Sequence, residues 1–294
     1  MWRSAIVAAL VCTGLACGRA AEPAPEGQAA APGAPPAPAT GEASSEWLAL
    51  YRAAAGGEAV GTVRTLRMAG VMIDPSDRAN RRIVVEAEYP AKYRQTEGPL
   101  GTSGRRHRTL IGFNGSEGWW AGDTRLGGDG LSKDPDVRQR AINDAARQNQ
   151  VNFIAGVLPA WLPEGGVTFA TIGDVTDGPD RGLLAIAVTH GDTPLGRLLI
   201  DQTTHLPSKL IVPYQRHIRP DGGEYEIRYW DYRPVAGVLL PHRIARRQIG
   251  SDGSSGSDGS DGSGRSPDVQ WSVSAYQVNV ALEGKTFEPI VPRR

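Results

Sequence analysis

Catalysis and metal binding need nucleophiles, bases and ligands held close together, and this chain scatters them. Its five histidines, His107, His190, His205, His217 and His242, are scattered between positions 107 and 242 of a chain of 294 residues. None stands four positions from another, the helical spacing that lets two imidazoles share a zinc ion. No Gly-x-Ser-x-Gly elbow, phosphate-cradling glycine loop or dinucleotide fingerprint occurs. Two acid–base fragments remain. His190-Gly191-Asp192 offers a base beside an orienting carboxylate, and Asp201 offers a general base; both fall where a strand is expected to turn, and turn chemistry explains glycine and aspartate there without a reaction. The expectation is a non-catalytic protein with no metal and no cofactor. The cluster Arg105-Arg106-His107-Arg108 is able to hold phosphate bidentately, although a solvated hairpin end explains it as well.

The cysteines carry a different chemistry. Cys12 and Cys17 are the only two, and both lie in the leader. The rest of the chain therefore has neither a disulfide nor a thiolate metal site, and packing alone must stabilise it. Trp2 and Arg3, an apolar run over 4–16, and Cys17 follow the order of an export signal, too short to span a bilayer as a mature helix. Leu15-Ala16-Cys17 resembles the end of a bacterial lipoprotein signal, in which the cysteine is lipidated and becomes the new N-terminus. Lipidation of Cys17 is expected; the competing reading is ordinary cleavage near Gly18-Arg19-Ala20 and a soluble periplasmic product. Residues 18–45 are crowded with Ala, Pro and Gly and should form an extended, disordered tether, holding about 3 Å per residue. With 32 basic and 32 acidic residues the formal charge is zero, which argues against nucleic-acid binding and against purely electrostatic membrane attachment.

Positioning any site falls to residues 46–294, roughly 250 residues, a length that all-β domains often occupy as one unit. Ile83, Val85, Ala87 and Tyr89 alternate with Arg82, Val84, Glu86 and Glu88, and Tyr225, Ile227 and Tyr229 alternate with Glu224, Glu226 and Arg228. Leu66, Met68 and Met72, then Leu184, Ile186 and Val188, then Leu198 and Ile200, then Val238, Leu240 and Ile244 keep the same period. These predict antiparallel strands with one buried face. Asn114-Gly115 predicts a tight type I′ hairpin. The run 251–266 is Gly, Ser and Asp without an apolar residue and is expected to be a disordered insert between two strands. Helices are few. Trp47, Leu50, Tyr51 and Ala54 share one face, with Gly56-Gly57 ending the run; Asp134-Pro135 caps a second helix expected to reach about Gln150. Phe153, Ile154, Val157, Leu158, Trp161 and Leu162 follow as a dense apolar segment, broken by Pro159 and Pro163, that something must cover.

Several strings in this order resemble one family. Phe113-Asn114-Gly115-Ser116-Glu117-Gly118-Trp119 is similar to an Asp-Gly-x-x-x-Trp hairpin; Ile200-Asp201-Gln202-Thr203-Thr204-His205-Leu206-Pro207, Tyr232-Arg233-Pro234, Gly237-Val238-Leu239-Leu240-Pro241 and Phe287-Glu288-Pro289 follow in sequence. Together they resemble the LolA/LolB-like lipoprotein-carrier superfamily over nearly all of 46–292. That resemblance implies a mainly β fold with a few α-helices: a single strongly curved antiparallel sheet, an unclosed half-barrel, whose concave face is an apolar cavity under a helical lid. It also implies that acyl chains of lipids or lipoproteins enter the cavity. Where the soluble carrier has a lid-latching arginine before the proline that ends its second strand, this chain has Tyr89 before Pro90, so that latch is absent.

On this reading Met68, Met72, Ile83, Val85, Tyr89, Ile186, Val188, Leu198, Ile200, Tyr225, Ile227 and Tyr229 line the cavity, and Phe153, Ile154, Val157, Leu158 and Trp161 form a lid that moves when ligand enters. The protein is expected in the bacterial envelope, anchored through Cys17 and facing the periplasm, with the outer membrane preferred. The alternative is a lipid-sensing regulatory or scaffold module of the same fold whose rim binds an envelope protein partner; a hydrolase is a distant third.

Overall fold

A computed structural model describes residues 43–75, 79–100, 109–121, 134–214, 223–249 and 268–289. Cys17 and the leader, most of the tether, the 105–108 basic cluster and the 251–266 insert lie outside them. Twelve strands are described: β1 (Thr65–Asp74), β2 (Ala79–Glu88), β3 (Lys92–Pro99), β4 (Thr109–Phe113), β5 (Gly118–Ala121), β6 (Val167–Asp174), β7 (Leu183–His190), β8 (Thr193–Asp201), β9 (Pro207–Pro213), β10 (Glu224–Val235), β11 (Val238–Ile249) and β12 (Val269–Val278). They form one antiparallel sheet in the order β5-β4-β3-β2-β1-β12-β11-β10-β9-β8-β7-β6, unclosed, with β5 and β6 as its edges. Those two edges are consecutive in the chain. The connection between them carries α3 (Pro135–Val157), which packs against strands from both halves of the sheet.

Side-chain period decides which face is inner. Along β1, Leu66, Met68 and Met72 are buried while Arg67 and Ile73 are exposed. The outer face is charged. Glu86 takes the guanidinium groups of Arg67, at 3.7 Å, and Arg94, and Glu226 takes Lys209 at 3.1 Å and Arg247 at 2.8 Å. Tyr51, Val60, Val63, Leu66 and the apolar side chains of 153–162 join the inner face in one hydrophobic core.

Two local expectations are corrected. The hairpin loop between the paired Phe113 and Gly118 has four residues, not two. Asn114 Oδ1 accepts the N–H groups of Ser116 at 3.0 Å and Glu117 at 2.8 Å, so its side chain closes the turn that φ > 0 at both central residues would otherwise have made; only Gly115 takes a positive φ. In α1 (Ala43–Ala55) the buried face is Trp47, Tyr51 and Ala55, at four-residue spacing, and Leu50 faces out. Gly56 then brings the chain against the β10–β11 turn. A Cβ there would stand 2.2 Å from the Gly237 carbonyl oxygen, which excludes any larger residue.

Candidate functional site

The cross-strand registers carry most of the nominated cavity residues onto one surface. Met68 pairs with Val85, Met72 with Trp271, Trp271 with Ile244 and Ile244 with Tyr229. A second row runs from Ile227 through Leu210 and Leu198 to Ile186. Ile83, Val188 and Ile200 are buried in the same core, and Tyr225 is half-buried at its margin. Tyr89 is placed differently. β2 ends at Glu88, and the Tyr89 ring packs edge-on against Trp161 at 5.9 Å and lies under the Arg64 guanidinium at 5.0 Å. It therefore joins the end of the sheet to the turn after α3 that carries Trp161 rather than standing on the concave face.

α3 is seated by its composition. Asp134 accepts the N–H groups of Asp136 at 2.9 Å and Val137 at 3.2 Å, and Pro135 begins the helix. The N-terminal half turns small residues inward: Ala146 lies so near Gly118 that a Cβ on that glycine would stand 2.6 Å from the alanine Cβ. The C-terminal half is apolar. The helix runs to Val157 instead of ending near Gln150, since Asn149 bonds back to the Ala145 carbonyl and Asn152 donates to the Tyr225 hydroxyl at 2.7 Å. Both asparagines are satisfied, and the prolines fall just beyond the helix. There Leu158 donates to Ile154 O and Pro159 opens a 3-10 turn containing Trp161.

Three tyrosines hold this end of α3. Tyr229 donates to Asn152 O at 2.5 Å, the one Tyr232 hydroxyl proton is shared between Pro207 O at 2.7 Å and Gly156 O at 3.0 Å, and Tyr51 donates to Val157 O at 3.3 Å. Burial pushes all three hydroxyls up from their usual pKa, so they remain protonated donors. Gly156 makes the contact possible, because a Cβ there would lie 2.0 Å from the Tyr229 ring. Phe153, Ile154, Val157, Leu158 and Trp161 are all buried in the same core as the concave face.

The residues missed by sequence reasoning lie mainly on β3. Tyr93, Gln95 and Glu97 face inward beside Ala87, Val85 and Ile83. Tyr93 donates to Gln95 at 2.5 Å, Gln95 to Glu97 at 2.7 Å, and Arg81 bridges Glu97 at 3.5 Å, leaving a polar track inside an apolar face. Burial and then the Glu97 charge push the Tyr93 hydroxyl up. Of the tryptophans, Trp119 is on the outer face, donating to Phe287 O at 3.4 Å, and Trp230 is exposed. Trp120, Trp161 and Trp271 bury indole N–H groups that find no acceptor among the described residues.

The acid–base fragments serve turns. Asp201 Oδ1 accepts the N–H groups of Thr203 and Thr204 at 2.9 and 2.8 Å, and His205 takes φ 56° in the same turn. His190 pairs in register with Thr193 across the β7–β8 turn, where burial, then the Arg147 charge, lowers its pKa. His242 packs on Tyr276 with ring centroids 5.3 Å apart. Among the described residues no three of His, Cys, Asp and Glu gather where a metal ion would need them. No described helix is long and apolar enough to cross a membrane.

No protein-family model matches this chain, and no curated protein matches it in sequence. Solved structures similar to it include an outer membrane lipoprotein-sorting protein domain from Vibrio parahaemolyticus, 10% identical with a TM-score of 0.49, covering 84% of this chain and 97% of its own. A LolA superfamily protein from Nitrosomonas europaea is 14% identical with a TM-score of 0.46, over 83% of this chain and 96% of its own. A DUF1329 family protein from Desulfovibrio piger is 10% identical with a TM-score of 0.48, over 83% and 97%.

Proposed function

We propose that this chain is a non-catalytic, LolA/LolB-like envelope protein that takes an acyl chain of a lipid or lipoprotein between the concave face of its sheet and α3, as a carrier or acceptor. One observation carries the reading: a single unclosed sheet turns an almost continuous apolar face inward, and one main helix with its following turns covers it. Met68 and Met72 stand in the middle of that face and offer the adaptable surface that variable chains require. Such sites are concave, mostly apolar and need a few hundred cubic ångströms.

Filling the space tests it. Val85→Trp is expected to abolish binding of a fluorescent fatty acid while leaving a cooperatively folded protein. If the face is instead packed solid, the wild type binds no probe and the same change costs roughly 1–3 kcal/mol of stability. Attachment to the outer membrane through Cys17 belongs to the same proposal, and stable anchoring takes more than one acyl chain, each buried methylene adding about 0.8 kcal/mol. Cys17→Ser is expected to move the protein from the membrane to the soluble fraction of the envelope. A wild-type protein already soluble, with its mature N-terminus downstream of Cys17, would overturn the anchor.

A further inference from the structure

The concave face is uneven along the adjoining strands β2, β1, β12 and β11. At one end Ala87 of β2, Leu66 of β1 and Leu240 of β11 are completely buried. At the other end, level with Met72, the inward parity is taken by Arg81 of β2 and Trp271 of β12, and one step beyond Ile244 by Arg246 of β11, which is open to solvent. The dry-to-wet gradient has the length-wise polarity of an amphiphile. A single-chain ligand lying along this face would put its tail toward Leu66 and its polar end toward Arg246.

The charges at the wet end decide what that polar end is. The two carboxylates described there are engaged: Glu97 bridges Arg81 and accepts from Gln95, and Asp74 has a partner of its own. Arg246 lies over the face of the Tyr225 ring, 5.9 Å from its centroid, and has no carboxylate partner among the described residues. Directly across β10 stands Ile227, so the guanidinium rises from the apolar face itself and not from the charged outer one. Nearby, the Trp271 indole N–H is buried without an acceptor, a costly state that an anionic oxygen would relieve. Guanidinium groups favour carboxylate and phosphate oxygens over neutral acceptors.

We infer that the wet end of the concave face is a head-group site for an anionic amphiphile, carboxylate or phosphate, with Arg246 as its specificity-determining cation. This rests on the acyl-binding reading above and adds to it the class and direction of the ligand. The test is displacement of the neutral probe N-phenyl-1-naphthylamine from the full chain at low ionic strength by dodecanoate, dodecyl phosphate and dodecanol, which share one tail. Dodecanoate or dodecyl phosphate is expected to displace the probe at about tenfold lower concentration than dodecanol, and Arg246→Gln to remove that advantage while leaving dodecanol unchanged. Which of the two anions gains more distinguishes a fatty-acid head from a phospholipid head. Equal displacement by acid and alcohol, or an Arg246→Gln shift shared by both, would overturn the head-group site and leave acyl binding intact. No probe binding by the wild type would instead remove the acyl reading on which the site rests.

Discussion

Replacing Gly156 with valine is expected to unseat the end of α3 and cost about 3 kcal/mol or more, read as a lower midpoint of denaturant unfolding with an unchanged slope. The Tyr229 ring occupies the place of the new side chain, with ring carbons 2.0–2.2 Å from a Cβ at this position. The ring has little room to retreat, since its hydroxyl is bonded to Asn152 O and its inner face is buried. Helix propensity supplies the control. Gly61 in α2 (Glu58–Thr62) has nothing within 4 Å of its Cβ position, so Gly61→Ala should be neutral or gain up to about 1 kcal/mol. Similar losses at both glycines would mean that close packing against Tyr229 is not the cause.

Leu158→Asp should be comparably damaging for a different reason. Leu158 is fully buried where α3 meets its 3-10 turn, in contact with the common core. A carboxylate there loses its water without gaining a partner, which costs several kcal/mol, a large part of the roughly 5–15 kcal/mol that holds most domains folded. Leu158→Met keeps the volume and should cost less than about 1.5 kcal/mol. Cooperative unfolding of the aspartate variant within 1 kcal/mol of wild type would show that the segment stands off the sheet in solution and acts as a separable cover.

Strand alternation and one apolar segment were enough to read the class of the fold and much of its inner face, because burial on one side of a sheet leaves a period of two in the sequence. β1, β7, β8, β10 and β11 carry that period openly. β3 does not: its inward residues, Tyr93, Gln95 and Glu97, are as polar as the outward ones, so the strand whose hydrogen-bonded track interrupts the apolar face is the one that periodicity hides. The length of α3 was obscured by Asn149 and Asn152, poor helix formers in isolation: Asn149 bonds back one turn to the Ala145 carbonyl, and Asn152 makes a tertiary bond to Tyr225 that no local rule supplies. Leu50 shows the opposite error. Its spacing with Trp47 fits a helical stripe, yet the sheet receives the neighbouring stripe through Tyr51 and Ala55.

The strand order also distributes the cost of folding unequally. Every neighbouring pair in the sheet consists of consecutive strands except one, the ladder between β1 and β12. Around that seam Thr65 reaches Val280 and Arg64 reaches Asn279 across 215 positions of chain. Loop-closure entropy rises by about 0.6 kcal/mol for each doubling of the enclosed length, so this seam costs roughly 3 kcal/mol more to close than a short hairpin. The long-range search of the sheet is thus concentrated in a single zipper at its middle, with two runs of sequentially local meander on either side. The helix that covers the concave face belongs to neither run; it is strung between their free ends, and so its adjustment need not break a single rung of the ladder.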